Sequence, residues 1–150
     1  MKSTLTALLA ICLCWALMGD DVAKKKFEET KAKAEKGDAK AQTNLGEMYA
    51  KREGVLEDDK EAVKWYRKAA EQGDAVAQFN LGVMYDNGEG VPEGDVTSYA
   101  WFNIAAANGD EDAKKNKGIV AKKMTTEQIA EAEALVKEML KKNPKLLNIK

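Results

Sequence analysis

The stretch AEKGDAKAQTNLGEMY at residues 34–49 returns as AEQGDAVAQFNLGVMY at residues 70–85. The register continues without a gap, so that Trp65 matches Trp101 one period of 36 residues later. Self-similarity at a fixed period of this length is typical of stacked supersecondary units rather than of one irregular core. The sequence therefore predicts a repeat array, and such arrays usually present surfaces to partners.

Each unit is predicted to consist of two antiparallel helices, A and B. Helix A is predicted to begin after a Gly-Asp pair. The glycine can take the left-handed conformation that ends the previous helix, and the aspartate can cap the next one. This corner is written three times, as Gly37-Asp38, Gly73-Asp74 and Gly109-Asp110. The repeated apolar residues of helix A have helical spacing and predict one buried face. They are Ala41, Leu45, Met48 and Tyr49 in the first unit and Ala77, Leu81, Met84 and Tyr85 in the second.

Helix B is predicted at about residues 59–72 and 95–108, with Asp59 or Asp95 as its cap. The loops that precede these helices gather carboxylates, which raises calcium binding as an alternative for the second loop, residues 86–95. The order of its acidic residues does not follow the EF-hand ligand pattern. We therefore interpret both loops as solvated connectors and predict no metal site.

Glycine recurs inside helix A at Gly46 and Gly82, although a glycine there costs about 1 kcal/mol relative to alanine. Its recurrence predicts that a neighbouring helix passes too close for a methyl group. Trp65 and Trp101 hold a fixed place in the repeat, which favours core packing over ligand stacking.

The ends of the array differ from its repeats. Thr125 with Gln128 forms the pattern of a capping box and predicts a closing helix. The fold class is therefore all-α, a short α/α superhelix of antiparallel helix pairs after an N-terminal signal peptide. The predicted divisions are a signal peptide (1–19), a degenerate capping helix (20–36), repeat 1 (37–72), repeat 2 (73–108), a partial repeat with the closing helix (109–143) and a tail (144–150).

The first residues carry the pattern of a secretory signal. Lys2 is followed by about sixteen uncharged, mostly apolar residues, and polarity changes abruptly at Asp20. Cleavage after Ala16 fits the preference for small residues, and cleavage after Gly19 is the alternative. This pattern predicts a periplasmic or secreted protein.

Composition limits the possible functions of the remaining chain. Both cysteines, Cys12 and Cys14, lie inside the apolar leader, so the mature chain is predicted to contain no disulfide. The chain has no histidine and a formal net charge of −1, which removes the main driving force for nucleic-acid binding. We likewise expect no stable association with membranes after the signal is removed.

The pattern Ala-x-Ala-Gln-x-Asn-Leu-Gly-x-Met-Tyr, followed by Glu-Gly-Val and by Trp-aromatic-x-x-Ala-Ala-x-x-Gly-Asp, resembles the Sel-1-like repeat over residues 34–122. Tetratricopeptide repeats are related in pattern but have a period of 34 residues. The resemblance implies an α/α superhelix that acts as an adaptor in protein complexes, in exported bacterial proteins among others. The chain departs from the cysteine-rich secreted branch of the family, and Leu56 stands where the motif favours proline.

Some cysteine-rich relatives are associated with β-lactam binding or hydrolysis, which makes a hydrolase or β-lactam-binding protein one alternative function. A serine enzyme of that class would show Ser-x-x-Lys and Lys-Thr-Gly, but the only serines, Ser3 and Ser98, begin no such motif. The sequence therefore predicts no catalytic residue, no cofactor and no enzyme activity. A self-associating structural module is the second alternative.

Helix A also carries a stripe of residues that the repeats do not share. Its members are Lys40, Thr43, Glu47 and Ala50 in the first unit, Val76, Phe79, Val83 and Asp86 in the second, and Asp112, Lys115, Ile119 and Lys122 in the third. In solenoids of this type the row of A helices tends to line the concave surface. We hypothesise that the apolar trio of the second unit lies in a groove rimmed by charge and receives a peptide or helix of a partner protein. The alternative is that the closing helix covers this trio.

Overall fold

The computed structural model describes residue 19 and residues 21–148. All regular secondary structure in this part of the chain is helical. The helices are α1 (residues 21–35), α2 (Ala39–Lys51), α3 (Asp59–Ala70), α4 (Ala75–Asn87), α5 (Asp95–Ala107), α6 (Glu111–Ala121) and α7 (Thr126–Lys142), followed by a 3-10 turn at Pro144–Leu146. The predicted signal peptide, apart from its last residue, and both cysteines lie outside the described residues.

The predicted Gly-Asp corners are confirmed at all three positions. The three glycines have φ angles of 94°, 89° and 93°, in the left-handed region that glycine adopts at little cost. Each following aspartate is the N-cap of helix A, and its Oδ1 accepts a hydrogen bond from a backbone N–H three residues on. These bonds join Asp38 to Ala41 at 2.8 Å, Asp74 to Ala77 at 2.8 Å and Asp110 to Ala113 at 2.7 Å.

The predicted caps of helix B are wrong by one residue. The N-cap of α3 is Asp58, whose Oδ1 accepts a hydrogen bond from the Glu61 backbone N at 3.0 Å. The N-cap of α5 is Gly94, which has no side chain to make such a bond. Capping requires a residue whose backbone is still extended, and that condition is met one position earlier than predicted. Asp59 and Asp95 lie instead in the first helical turn, where a carboxylate interacts favourably with the helix dipole.

The helices stack in the order of the sequence. α2 packs against α3 and α4 against α5 as antiparallel pairs, and α3 packs against α4 between the repeats. α6 and α7 both pack against α5 and close the array after the second repeat. Trp65 and Trp101 belong to two of the buried clusters, and they are 6% and 7% exposed. Their predicted role in core packing is confirmed.

The helical glycines lie where aromatic rings approach the backbone. A Cβ added at Gly46 would stand 2.7 Å from the ring of Tyr66, and one added at Gly82 would stand 2.6 Å from the ring of Phe102. Both distances are well below van der Waals contact. The predicted close approach is therefore confirmed, and the approaching group is an aromatic side chain of helix B.

We expect Gly82→Ala to destabilise the protein even though alanine is the better helix former. Overpacking against Phe102 costs about 1–3 kcal/mol, and the gain in helix propensity offsets about 1 kcal/mol of this. The matched control is Gly118→Ala in α6, where a Cβ would meet no atom within 4 Å. This control should raise the free energy of unfolding by about 0.5–1 kcal/mol in urea titrations. Changes of the same sign in both variants would contradict the steric explanation.

The closing helix forms as predicted, but the tail beyond it is docked on the array. Thr125 and Gln128 make both bonds of the capping box, and α7 ends at Lys142, two residues before Pro144. Leu146 is only 3% exposed and joins the central buried cluster. The C-terminal segment therefore forms part of the packed structure up to residue 148, the last one described.

Candidate protein-interaction surface

The first unit contributes little apolar surface to the predicted stripe. Lys40 is exposed, and Glu47 is half-buried and pairs with Lys51 at 3.6 Å. Thr43 is only 4% exposed, and its Oγ1 donates a hydrogen bond to the Ala39 carbonyl at 3.2 Å. The face of Thr43 available to a partner is therefore very small.

The apolar trio of the second unit is neither fully exposed nor fully covered. Val76 is 47% exposed, whereas Phe79 and Val83 are half-buried against a cluster contributed by α5, α6, the α6–α7 connection and α7. The ring of Phe79 lies 5.6 Å from the ring of Phe102, centroid to centroid. The closing helix packs mainly on α5, so part of the α4 stripe stays open.

Ile119 on α6 belongs to the same stripe, although it was not among the predicted partner-binding residues. It occupies the register position of Val83 one period later, and it is 53% exposed. The 36-residue offset was the signal that identifies it. Together with Val76, it is one of the few large apolar side chains that the described part of the chain leaves open.

The predicted charged rim is partly engaged in ion pairs. Lys123 Nζ lies 2.9 Å from Asp86 Oδ1, which ties the end of α4 to the connection between α6 and α7. The hydrogen bond and charge of Asp86 raise the pKa of Lys123. Lys115 pairs with Asp112 at 2.9 Å within α6, and that hydrogen bond likewise raises the pKa of Lys115. Because these lysines are strongly exposed, the pairs contribute little to stability.

Clustered metal ligands and serine hydroxyls are the groups that the hydrolase alternative would use. Within residue 19 and residues 21–148, no group of three or more metal-ligating side chains comes together. Ser98 is fully buried, and its hydroxyl donates a hydrogen bond to the Gly82 carbonyl at 2.8 Å. In the same part of the chain, no helix has the length and apolar content that a bilayer span requires.

The fold and this surface define a class of protein, the α/α solenoid built from 36-residue helix pairs. The Sel1 repeat model matches residues 39–74 and 75–110. The solved structure of a Sel1 repeat protein from Oxalobacter formigenes is 42% identical, with a TM-score of 0.58, and the match covers 59% of this chain and 67% of that one. The chain belongs to the Sel1 repeat family. Proteins of this family generally act as non-enzymatic modules for protein–protein interaction.

A second similar structure is longer than this chain. It is c5321, described as a protective antigen of uropathogenic Escherichia coli strains with an SLR fold. The two chains are 38% identical with a TM-score of 0.77, and the match covers 82% of this chain but only 27% of c5321. No curated protein sequence matches the chain. Neither the fold nor the family match favours the hydrolase or the self-associating alternative.

Proposed function

We propose that the protein is an exported adaptor that binds another protein through the stripe of its A helices. The observation that carries this proposal is the open apolar surface on two consecutive A helices, with Val76 at 47% and Ile119 at 53% exposure. Phe79 and Val83 continue the stripe along α4 from Val76 and are half-buried. Apolar residues rimmed by charge are typical of binding sites rather than of ordinary surface.

The surface suits a short apolar segment better than a large rigid partner. Val76 and Ile119 stand on neighbouring A helices, and the Asp86–Lys123 pair supplies charge at the C-terminal ends of these helices. An amphipathic helix could place its apolar face on the stripe and its polar residues against this rim. The proposal therefore specifies a helix or peptide with a few apolar anchors as the ligand.

Export is the second part of the proposal, and it rests on the apolar leader of residues 1–19. We expect the protein recovered from the periplasm or the medium to begin at residue 17 or residue 20. Intact-mass measurement of that material tests the expectation directly. A full-length mass, or retention of all the protein in the cytoplasm, would contradict export.

Affinity capture from an envelope extract tests the binding surface. We expect Val76→Asp and Ile119→Asp each to reduce capture of a partner by about tenfold or more, because a carboxylate on the apolar stripe must be desolvated on binding. Leu56→Asp is the matched control, since Leu56 is 87% exposed and lies in a loop away from the stripe. Circular dichroism should show that all three variants remain helical.

The control decides between the possible explanations of a loss. Reduced capture by Val76→Asp and Ile119→Asp with unchanged capture by Leu56→Asp would support the stripe. Equal capture by all three variants would show that the stripe is not the binding surface. Equal loss in all three would indicate a general effect of added negative charge.

A further inference from the structure

The tail is held on repeat 2 by hydrogen bonds to its backbone. The Leu146 carbonyl accepts from Gln78 Nε2 at 2.8 Å and from Asn108 Nδ2 at 2.7 Å. The Asn148 backbone N–H donates to Asn108 Oδ1 at 2.8 Å, so the side-chain amide of Asn108 bonds the tail through both its donor and its acceptor. Leu147, between the two contacts, has an extended backbone. This is how a protein holds an extended peptide, and these polar contacts do not depend on the peptide's side chains.

One apolar anchor completes the site on repeat 2. Leu146 is buried in the cluster that contains Trp101 and Ile104. The tail also passes directly over the corner glycine, because a Cβ added at Gly73 would stand 2.7 Å from the Lys145 carbonyl oxygen. The site thus consists of a glycine corner, a glutamine–asparagine pair and an apolar wall.

Repeat 1 contains the same polar arrangement one period earlier. Gln72 Nε2 donates to Gln42 Oε1 at 2.8 Å, as Asn108 Nδ2 donates to Gln78 Oε1 at 2.8 Å in repeat 2. Gln42 Nε2 donates to the Ala34 carbonyl at 3.0 Å, as Gln78 Nε2 donates to the Ala70 carbonyl at 3.1 Å one period later. The amide pair of repeat 1 is therefore already in the geometry that holds the tail in repeat 2.

In repeat 1, the equivalents of the two donors and the acceptor that bind the tail in repeat 2 each make one hydrogen bond fewer within the described residues. A side-chain amide has two N–H donors, and Gln42 Nε2 makes one bond where Gln78 Nε2 makes two. Gln42 is 5% exposed, so its second donor sits in a nearly buried position where an unmade hydrogen bond is costly. Gly37 is exposed, and a Cβ added there would meet no atom within 4 Å. No described segment of the chain covers this corner.

We propose that Gly37, Gln42 and Gln72 form a second binding site, which receives an extended, leucine-containing segment of a partner protein. The leucine carbonyl accepts from Gln42 Nε2 and Gln72 Nε2, and the backbone N–H two residues later donates to the side-chain Oε1 of Gln72. The tail shows the chemistry of this ligand because it occupies the equivalent site. A tail from a second copy is the less suitable occupant, since each tail is held in its own chain at a high effective concentration. This inference extends the proposed interaction role to a surface separate from the A-helix stripe.

The apolar wall of the repeat 1 site is weaker than that of repeat 2. Lys68 stands in the register position of Ile104, and its Nζ lies 4.1 Å from the centroid of the Trp65 ring. The leucine of a ligand would therefore contact Trp65 and the aliphatic stem of Lys68. We expect a short peptide to bind with a dissociation constant on the order of 0.1–1 mM.

The synthetic peptide NPKLLNIK, which copies residues 143–150, is a suitable probe for the full chain. In two-dimensional NMR spectra, we expect its titration to shift the side-chain amide resonances of Gln42 and Gln72 and to saturate. The amides of Gln78 and Asn108 should not move, because the tail already occupies their site. Gln72→Ala should weaken binding by about tenfold or more, since it removes two hydrogen bonds. Lys68→Ile should strengthen binding by about fivefold by restoring the apolar wall.

Each result either supports the site or rejects it. Saturable shifts at Gln42 and Gln72 that are lost in Gln72→Ala would support it. No saturation at about 5 mM peptide, well above the expected dissociation constant, would overturn it. Shifts at Gln78 and Asn108 would show that the peptide displaces the tail from repeat 2 instead, which rejects the site. Shifts at Gln42 and Gln72 that depend on protein concentration without peptide would assign the site to the tail of a second copy. Partner capture by Gln72→Ala separates the two proposals, because the A-helix stripe is intact in that variant.

Discussion

Phe102→Ala is expected to lower the free energy of unfolding by about 3–5 kcal/mol, a large part of the stability of an ordinary domain. Phe102 is 1% exposed, and its ring lies against the backbone of Gly82 and beside the ring of Phe79. Truncation leaves a cavity between α4 and α5 that this close packing cannot readily fill. Thermal unfolding should show a melting temperature lower by about 10 °C or more.

Two further variants test whether the loss comes from this packing. Phe79→Ala should cost about 1–2 kcal/mol, because Phe79 is only half-buried. In the Phe102→Ala background, Gly82→Ala should become neutral or stabilising, because the methyl group then enters the space the ring has left. The double-mutant cycle should give a coupling energy of about 1–3 kcal/mol. Additive effects of the two substitutions would contradict direct contact between the ring and the glycine.

Gln78→Leu is expected to cost about 2–4 kcal/mol of unfolding free energy and to loosen the tail. Gln78 is fully buried, donates to the Ala70 and Leu146 carbonyls, and accepts from Asn108. Leucine has a similar size but can make none of these bonds, so the buried partners lose hydrogen bonds without gaining water. Urea titration measures the stability, and hydrogen exchange at the Asn148 amide measures the loosening of the tail.

The equivalent substitution in repeat 1 is the control. Gln42→Leu removes a pair of bonds, to Ala34 and from Gln72, but no contact with the tail. We expect it to cost about 1–2 kcal/mol and to leave exchange at Asn148 slow. Equal losses in both variants, with Asn148 protected in each, would show that Gln78 does not fasten the tail.

The sequence predicts the helical repeat well because its signals are local and are written more than once. Gly37, Gly73 and Gly109 each mark a turn between two helices, and each is followed by an aspartate that caps the next helix. The period also predicts which residues face each other, as the close approach of aromatic rings to Gly46 and Gly82 shows. Such predictions require only the geometry of one helix pair, which the repeat then copies.

The predictions that failed or were incomplete depend on details outside the period. Whether Asp58 or Asp59 caps α3 is decided by where the backbone leaves the extended region, and two adjacent aspartates cannot be ranked from sequence. The docking of Leu146 joins residues 68 positions apart through the Gln78 side chain. No local sequence pattern encodes a contact at that separation. Residues 144–150 were therefore predicted only as a tail, without a docking site.

The exposure of the candidate stripe could be predicted only in part from the sequence. The offset between repeats identified Val76, Phe79 and Val83 as positions that vary on a helix face, and Val76 is indeed open. The degree to which Phe79 and Val83 are covered depends on how α5 and α6 pack against α4, which the repeat does not specify. Lys123 also joins the rim through Asp86, although the two residues lie 37 positions apart.

The fastening of the tail has a consequence for how arrays of this kind change in length. Gln78 and Asn108 belong to the repeating unit, whereas Leu146 belongs to the segment that follows the closing helix. An in-frame duplication of residues 73–108 would place a new glutamine and a new asparagine at the same sequence separation from Leu146 as Gln78 and Asn108 have now. Each added repeat would therefore bring its own glutamine and asparagine to bind the Leu146 carbonyl. The number of repeats could increase while the same segment covers the last repeat.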